Sequence, residues 1–413
     1  MSRLQAPKGC PDIFPDEIYH RQQVLAVVRK CVQQYGFLEH ETPIFEHAEV
    51  FLKSLGDDTD VVTKEMYTFT DKGGDLMVLR PEATASIARL FVSHKLFREL
   101  PYKVFYQGPM FRHERPQKGR LRQFTQLGVE CLGQRDPIVD AEIIALGWRI
   151  VKDLNLHTHA QILLNSLGQA PERKKFKDDL VKFLTSKKTQ LSEDSQNRLS
   201  TNPLRILDSK DENDQKLLIG GPELKQYLSS ESLAYIAEVE THLKALEIPY
   251  TYESKLVRGL DYYNDTVFEI QHSELGAQGT LLAGGRYDHL ISSMGGPDCP
   301  SFGWAAGLER LLLLTQFQRP QVTSLGIVDM NHEYRTYLLQ VAEVLRHQGH
   351  SVNYSLTGNF SKQMKKCEKN GSTHVVIFGP DEVTHKQVQL KHLASGQQKA
   401  LSWDELLKIT TYL

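Results

Sequence analysis

Between Arg112 and Arg122 the chain reads RHERPQKGRLR, five cationic side chains punctuated by Pro116 and Gly119. Only Glu114 interrupts the run, so most of these cations lack a local counter-ion, and such a cluster suits phosphate. The plainer alternative is a solvated charged hairpin. Both flanks look like strands. YKVFYQG precedes the turn, and FTQLGVECL follows it with Phe124, Gln126, Gly128 and Glu130 on one face and Thr125, Leu127, Val129 and Cys131 on the other. The second face is apolar and expects burial. The first sets an amide and a carboxylate beside the arginines, and buried polar groups left unpaired cost about 1 to 3 kcal/mol each, so this face needs partners or a ligand.

Other segments offer chemistry with a bland competitor beside it. LVRGLDYYNDTVFEI, strand-like from Leu256, sets Arg258, Asp261, Tyr262 and Tyr263 within six residues, more hydrogen-bonding side chains than a core strand ordinarily carries. GLERL puts Arg310 at the start of an apolar helix, where it can hold a phosphate or pair with a neighbour. In LRPEATAS the local pattern is that of a helix start, with Pro81 at the first position and Glu82 favoured by the dipole. AGGRYDHL has two glycines but no G-x-G-x-x-G or Walker spacing, and by itself it reads as a turn. The sixteen histidines show no H-E-x-x-H spacing, so no metal site is expected from them. Five cysteines, an odd number without C-x-x-C, argue against a disulfide framework or a structural zinc and suit a reducing compartment.

The elements that must position these residues can be read coarsely. A chain of 413 residues allows two or three domains, and a net charge of −2 leaves nucleic-acid contact to local patches. Helices are expected over 16–35, 83–94 and 139–154. FLEHETPIFE, with Pro43 inside it, reads as an edge or interface strand. Lysine-rich helical texture fills 169–248, as an insertion. GTLLAGG is a strand with a double-glycine turn into Arg286-Tyr287-Asp288, and FGWAAGLERLLLL runs from a strand into a buried helix. After about Gln321, LGIVDM, a helix over 333–348, SVNY, a helix over 361–370, THVVIFG and QVQLKHL alternate as a small doubly wound α/β unit does, and Ser402 to Glu405 is a capping box. No apolar run approaches the ~20 residues of a membrane span, and the N-terminus lacks the apolar core of a signal peptide, so a cytoplasmic protein is expected.

Taken together, the segments resemble the histidyl-tRNA synthetase family of class II aminoacyl-tRNA synthetases. The proline-containing strand around Pro43, FRHERPQKGRLRQFTQLGVE and AAGLERL resemble motifs 1, 2 and 3 of the class; LVRGLDYY and AGGRYD resemble signatures of the histidine enzyme. The resemblance implies an α+β fold: a catalytic domain over 1–322 with an antiparallel sheet, interrupted by a helical insertion at 169–248, and an α/β anticodon-binding domain at 323–413. It implies that ATP is bound by Arg112, Arg120 and Arg310, with Mg2+ bridging its phosphates, and that Arg258, Arg112 and Arg310 act in catalysis. Glu82 and Thr84 would hold the amino group of L-histidine, with Gln126 nearby; Glu130 and Tyr263 would reach the imidazole, and Tyr262 and Tyr287 would line the same pocket. The implied reaction makes histidyl-adenylate and transfers the histidyl group to tRNA(His), in a homodimer, with the insertion embracing the acceptor arm. Two departures stand out: Pro81-Glu82-Ala83-Thr84 where the family often has PEGT, and Phe124-Thr125-Gln126 where it often has FHQ. Neither is expected to disable the enzyme. The retained arginines and the α/β tail disfavour a non-catalytic regulatory paralogue, and the tail disfavours a ligase serving a non-tRNA acceptor.

Overall fold

The alternation in FTQLGVECL builds the middle of an eight-stranded sheet. Its strands run in the order Leu38–His40, Tyr102–Phe111, Gln123–Leu132, Ser301–Gly307, Thr280–Arg286, Asn264–His272, Ala160–Ser166 and Thr251–Tyr252. The six central strands pair antiparallel, and only the two outermost pairs are parallel. Leu127, Val129 and Cys131 are fully buried, and with Phe268 and Ile270 they meet Val24 and Val28 of helix Pro15–Gln34, Ile144 and Val151 of helix Pro137–Asp153, and Val239 and Leu243 of helix Ser230–Ala245. Three helices thus close one face, and the opposite face is left for the site.

This computed structural model describes residues 4–56, 59, 61–320 and 324–409, apart from the side chains of residues 277 and 278, and they fall into two compact units, Met1–Gln318 and Arg319–Leu413. The expected division between residues 322 and 323 lies outside the described residues. The helices expected over 16–35, 83–94 and 139–154 are observed as Pro15–Gln34, Thr84–Ser93 and Pro137–Asp153, the last capped by Asp136, whose carboxylate accepts from the Ile138 N–H. Between residues 170 and 245 every regular element is a helix, from Ala170–Thr185 to Ser230–Ala245 with short helices and turns between.

Three expectations need correction. The strand around Pro43 is two strands: Leu38–His40 edges the large sheet, while Phe45–His47 joins a separate three-stranded sheet with Leu76–Leu79 and Tyr67–Thr70. Proline supplies no ladder donor, and the chain changes sheets across it. Gly284 and Gly285 are not a turn but lie inside strand Thr280–Arg286, because a Cβ on Gly284 would lie 2.1 Å from the Gly303 carbonyl oxygen and one on Gly285 2.6 Å from that of Thr266. Lastly, LVRGLDYY is not strand: the ladder begins only at Asn264, and Arg258 to Tyr263 form an irregular turn above the sheet.

In the second unit, strands Ser351–Tyr354, Ser324–Asp329 and Ser372–Phe378 are parallel neighbours, and Gln387–His392 and Gln398–Ser402 extend the sheet antiparallel. Helix Arg335–His347 covers one face through Leu338, Val341 and Leu345; helix Phe360–Lys369 covers the other through Cys367 against Val328 and Val375. The doubly wound pattern is therefore present, with a final antiparallel strand that polar residues hid. The Ser402 hydroxyl and Glu405 form the expected capping box.

Candidate active site

On the sheet face away from the three helices a cleft of about 1300 Å³ opens. Every residue singled out for function lines it, although they come from segments up to 228 positions apart in the sequence.

At one end lie the cations. Arg112 donates from Nε to the Pro81 carbonyl at 2.9 Å, and its guanidinium lies over the Phe124 ring, 5.5 Å from the centroid. Arg120 pairs with Glu114 at 2.7 Å, and Arg112 Nη1 is 4.0 Å from the same carboxylate. Arg310 donates from Nη1 to the Thr280 carbonyl at 2.6 Å and from Nε to Gly119 at 3.3 Å, which ties the start of helix Leu308–Leu314 to the arginine-rich turn. Burial, together with the nearby Arg120 and Arg112 charges, lowers the pKa of Arg310. Like charges gathered at the end of a concave space are relieved by an anion between them.

Arg258 sits farther along, ion-paired with Glu269 and with its guanidinium over the Tyr263 ring at 5.8 Å. Burial would raise the Glu269 pKa, but Arg258 and hydrogen bonds from Gln271 and Thr280 outweigh it, so the carboxylate lies below its ordinary range. The pair is charged. Its Nε–H is buried without a partner, a donor held in reserve at the cleft wall.

The other end is a buried polar pocket. Glu130, 1 % exposed, accepts from the Thr84 hydroxyl at 2.7 Å and from the Tyr287 hydroxyl. Burial pushes its pKa up to about 8, against the pull of those hydrogen bonds. Glu82 fulfils the local helix-start reading, accepting from the Thr84 and Ala85 N–H groups at 2.7 and 2.8 Å, and it still reaches the cleft; burial raises its pKa. Gln126 accepts from the Ala83 N–H at 2.9 Å through its carbonyl oxygen, which turns its NH2 to be the free end of the amide. Tyr262, Tyr263 and Tyr287 cluster with ring centroids 4.6 to 6.4 Å apart. The room for this pocket comes from Gly303, where a Cβ would lie 1.8 Å from Glu130 Oε2.

Both departures from the family pattern are accommodated. Ala83 has φ −106° and ψ −22°, a conformation any residue adopts, so the glycine usual there is not required. Thr125 points away from the cleft, its hydroxyl accepting from Arg21 and its N–H donating to Glu309.

Sequence reasoning missed Glu269, the partner of Arg258, and Tyr106, whose buried hydroxyl lies beside Thr84 and Glu130 and whose pKa burial raises, with Glu130 and Glu82 adding to the effect. Tyr106 was within reach of the alternation rule, since it pairs in register with Gly128 and so shares the face of Gln126 and Glu130. Glu269 carried a weaker signal, a carboxylate in an otherwise apolar strand.

An antiparallel sheet with arginines from a strand–turn–strand and a strand-to-helix junction at one end of its open face, and a buried polar pocket at the other, is the catalytic architecture of a class II aminoacyl-tRNA synthetase. Residues 9–311 match the family model for histidyl-tRNA synthetase, and residues 324–411 match that for an anticodon binding domain. Curated histidine–tRNA ligases from Rhodospirillum rubrum and a Cyanothece species are each 45% identical, over 97% of both chains for the first and 98% of this chain and 96% of the relative for the second. A crystal structure of apo histidyl-tRNA synthetase from S. aureus superimposes with a TM-score of 0.79 at 31% identity, covering 98% of this chain and 99% of that one. The chain belongs to the histidyl-tRNA synthetase family. Its activity is the ligation of histidine to tRNA with ATP as co-substrate.

Proposed function

We propose that the cleft carries out both half-reactions with the residues that line it, and that the convergence of Arg112, Arg258 and Arg310 on one space beside the Glu130 pocket is the observation that carries this reading. ATP lies with its phosphates among Arg112, Arg120 and Arg310, where guanidinium groups fork onto phosphate oxygens. Histidine enters the polar end. Its imidazole lies between Glu130 and Tyr263, so that one ring nitrogen donates and the other accepts, and Tyr262 and Tyr287 close the walls. Glu82 and Thr84 face the α-amino group and Gln126 orients that end of the substrate. The histidine carboxylate then attacks the α-phosphorus in line, the bond to pyrophosphate breaks, and Arg258 and Arg112 stabilise the charge that gathers on the α-phosphate. A pocket built to hydrogen-bond a polar side chain rejects analogues lacking it by roughly 10⁴ to 10⁵ without an editing step.

Magnesium, where bound with ATP, would neutralise charge on the phosphates. Glu114 and Glu269, the carboxylates nearest the arginines, are each tied to a guanidinium, and among the described residues no three His, Cys, Asp or Glu side chains gather as a chelate, so the donor set fits a substrate-borne ion better than a protein cage.

The same reading assigns catalysis to residues 1–322, contact with the acceptor arm to the helical segment 169–248, and anticodon contact to residues 323–413, with phosphate contacts that make tRNA binding salt-dependent. The working form is a homodimer. Leu38, Ile44, Phe45, Phe69 and Leu76 are exposed in and around the Pro43 segment and its small sheet, an apolar surface that association would cover. Five unpaired cysteines suit the reducing cytoplasm, and no helix among the described residues is long and apolar enough to cross a membrane.

The test is ATP–pyrophosphate exchange with a panel of amino acids, followed by charging of purified tRNA. Histidine-specific exchange and charging of tRNA(His) are expected. Exchange without charging would favour a ligase with another acceptor, and no exchange would favour a regulatory protein.

A further inference from the structure

The turn that presents Arg258, Tyr262 and Tyr263 lies outside the sheet ladder, so something other than strand pairing must hold its shape. Much of that hold comes from the helical insertion. Arg173, on helix Ala170–Thr185, donates from Nη1 to the Tyr263 carbonyl at 2.6 Å, and its charged neighbours are Asp261 and Asp265, the two carboxylates that bracket the tyrosine pair. Asp265, at φ +46°, is fixed in turn: its N–H donates to the Gly168 carbonyl at 3.1 Å, its carbonyl accepts from the Leu167 N–H at 2.7 Å, and its carboxylate accepts from Gln169 and Arg135. A second tie runs from Asn202 Nδ2 to Asp261 Oδ1 at 2.8 Å. On the other side Asp261 fits against Gly56, where a Cβ would lie 2.9 Å from its Oδ2.

We propose that Arg173 is a positioning residue for histidine recognition: a guanidinium supplied by the insertion fixes the main chain at Tyr263 and thereby sets the Tyr263 hydroxyl against the imidazole. The proposal rests on the assignment of Tyr263 to the imidazole. It makes the first insertion helix part of the amino-acid site as well as a candidate arm for RNA. Arg173 touches neither substrate in this arrangement. Its effect must therefore appear only where Tyr263 has one.

The experiment compares the full-length Arg173→Gln, Arg173→Lys, Tyr263→Phe and Arg173→Gln/Tyr263→Phe variants in ATP–pyrophosphate exchange. A lost charged hydrogen bond corresponds to roughly tenfold or more. Arg173→Gln is expected to raise KM for histidine by about that factor and leave KM for ATP unchanged, with Arg173→Lys recovering part of the loss because an ammonium still reaches the carbonyl. In the Tyr263→Phe background Arg173→Gln should add nothing. An unchanged KM for histidine in both Arg173 variants would overturn the positioning role, as would a rise in KM for ATP in step with that for histidine, or effects that multiply in the double variant. An unchanged KM in Tyr263→Phe would instead overturn the imidazole assignment, and this proposal with it.

Discussion

Replacing Arg258 by alanine removes two things at once, the cation proposed to stand beside the reacting phosphate and the partner of a largely buried carboxylate. Glu269 has a side chain only 14% exposed, and Arg258 is paired directly with it. Breaking a buried pair from one side typically costs about 3 to 5 kcal/mol. Gln271 and Thr280, each 2.9 Å from Glu269 Oε2, remain to soften this, so the lower end, about 3 kcal/mol, is expected. The chemical loss is separate. Losing one group that stabilises transition-state charge slows such a step by about 10² to 10³. Arg258→Ala/Glu269→Gln distinguishes the two, since the amide keeps the shape and drops the stranded charge. Urea unfolding should show most of the stability restored in the double variant, while the single-turnover rate of histidyl-adenylate formation stays down by about 100-fold or more. Near-normal adenylate formation in a variant lacking Arg258, or recovery of the rate together with the stability, would refute a direct catalytic role.

Glu130→Gln tests the raised carboxyl. The folded-state pKa of about 8 stands above the ordinary 4.5, so the folded chain holds a proton that the unfolded chain releases, and wild-type stability falls as pH rises between those values, by about 1.4 kcal/mol per unit. The variant lacks that proton: unfolding followed at about pH 6 and about pH 8 should show wild type losing roughly 2 kcal/mol relative to it, and parallel pH dependence would refute the burial argument. Gly303→Ala drives a methyl group against Glu130 Oε2 and the Val129 carbonyl oxygen, 2.4 Å away, so a lower melting temperature, by the equivalent of about 1 to 3 kcal/mol, and loss of histidine-dependent exchange are expected. Full exchange activity in that variant would show that the pocket has slack the packing denies. Light scattering at micromolar concentration should return twice the chain mass of 47.1 kDa, and a monomer retaining full charging activity would remove the homodimer from the mechanism.

Much of the site was legible because its chemistry is written in residue types. Five cations around one proline and one glycine, Gln126 and Glu130 sharing a strand face, and Arg258 beside two tyrosines each signal a ligand without coordinates. Where reading failed, local pattern and long-range packing disagreed. LVRGLDYY has strand-like composition, yet Arg173 and Asn202, distant in sequence, hold it as a turn. Gly284-Gly285 has the look of a turn, yet neighbouring strands approach so closely that only glycine fits between them. The last strand of the tail, Gln398–Ser402, is mostly exposed and edge-lying, so it shows little hydrophobic pattern.

The linear order of residues by itself determined the sheet alternation, the helix positions and the inventory of clustered cationic and hydrogen-bonding side chains, because strand and helix periodicity and side-chain chemistry are local properties. Only the tertiary structure decided that Arg112, Arg258 and Arg310 share one cleft, that burial raises the Glu130 pKa, and that Glu269 and Arg173 stand behind Arg258 and Tyr263. Those outcomes depend on burial and on distances between segments far apart along the chain, which no local pattern encodes.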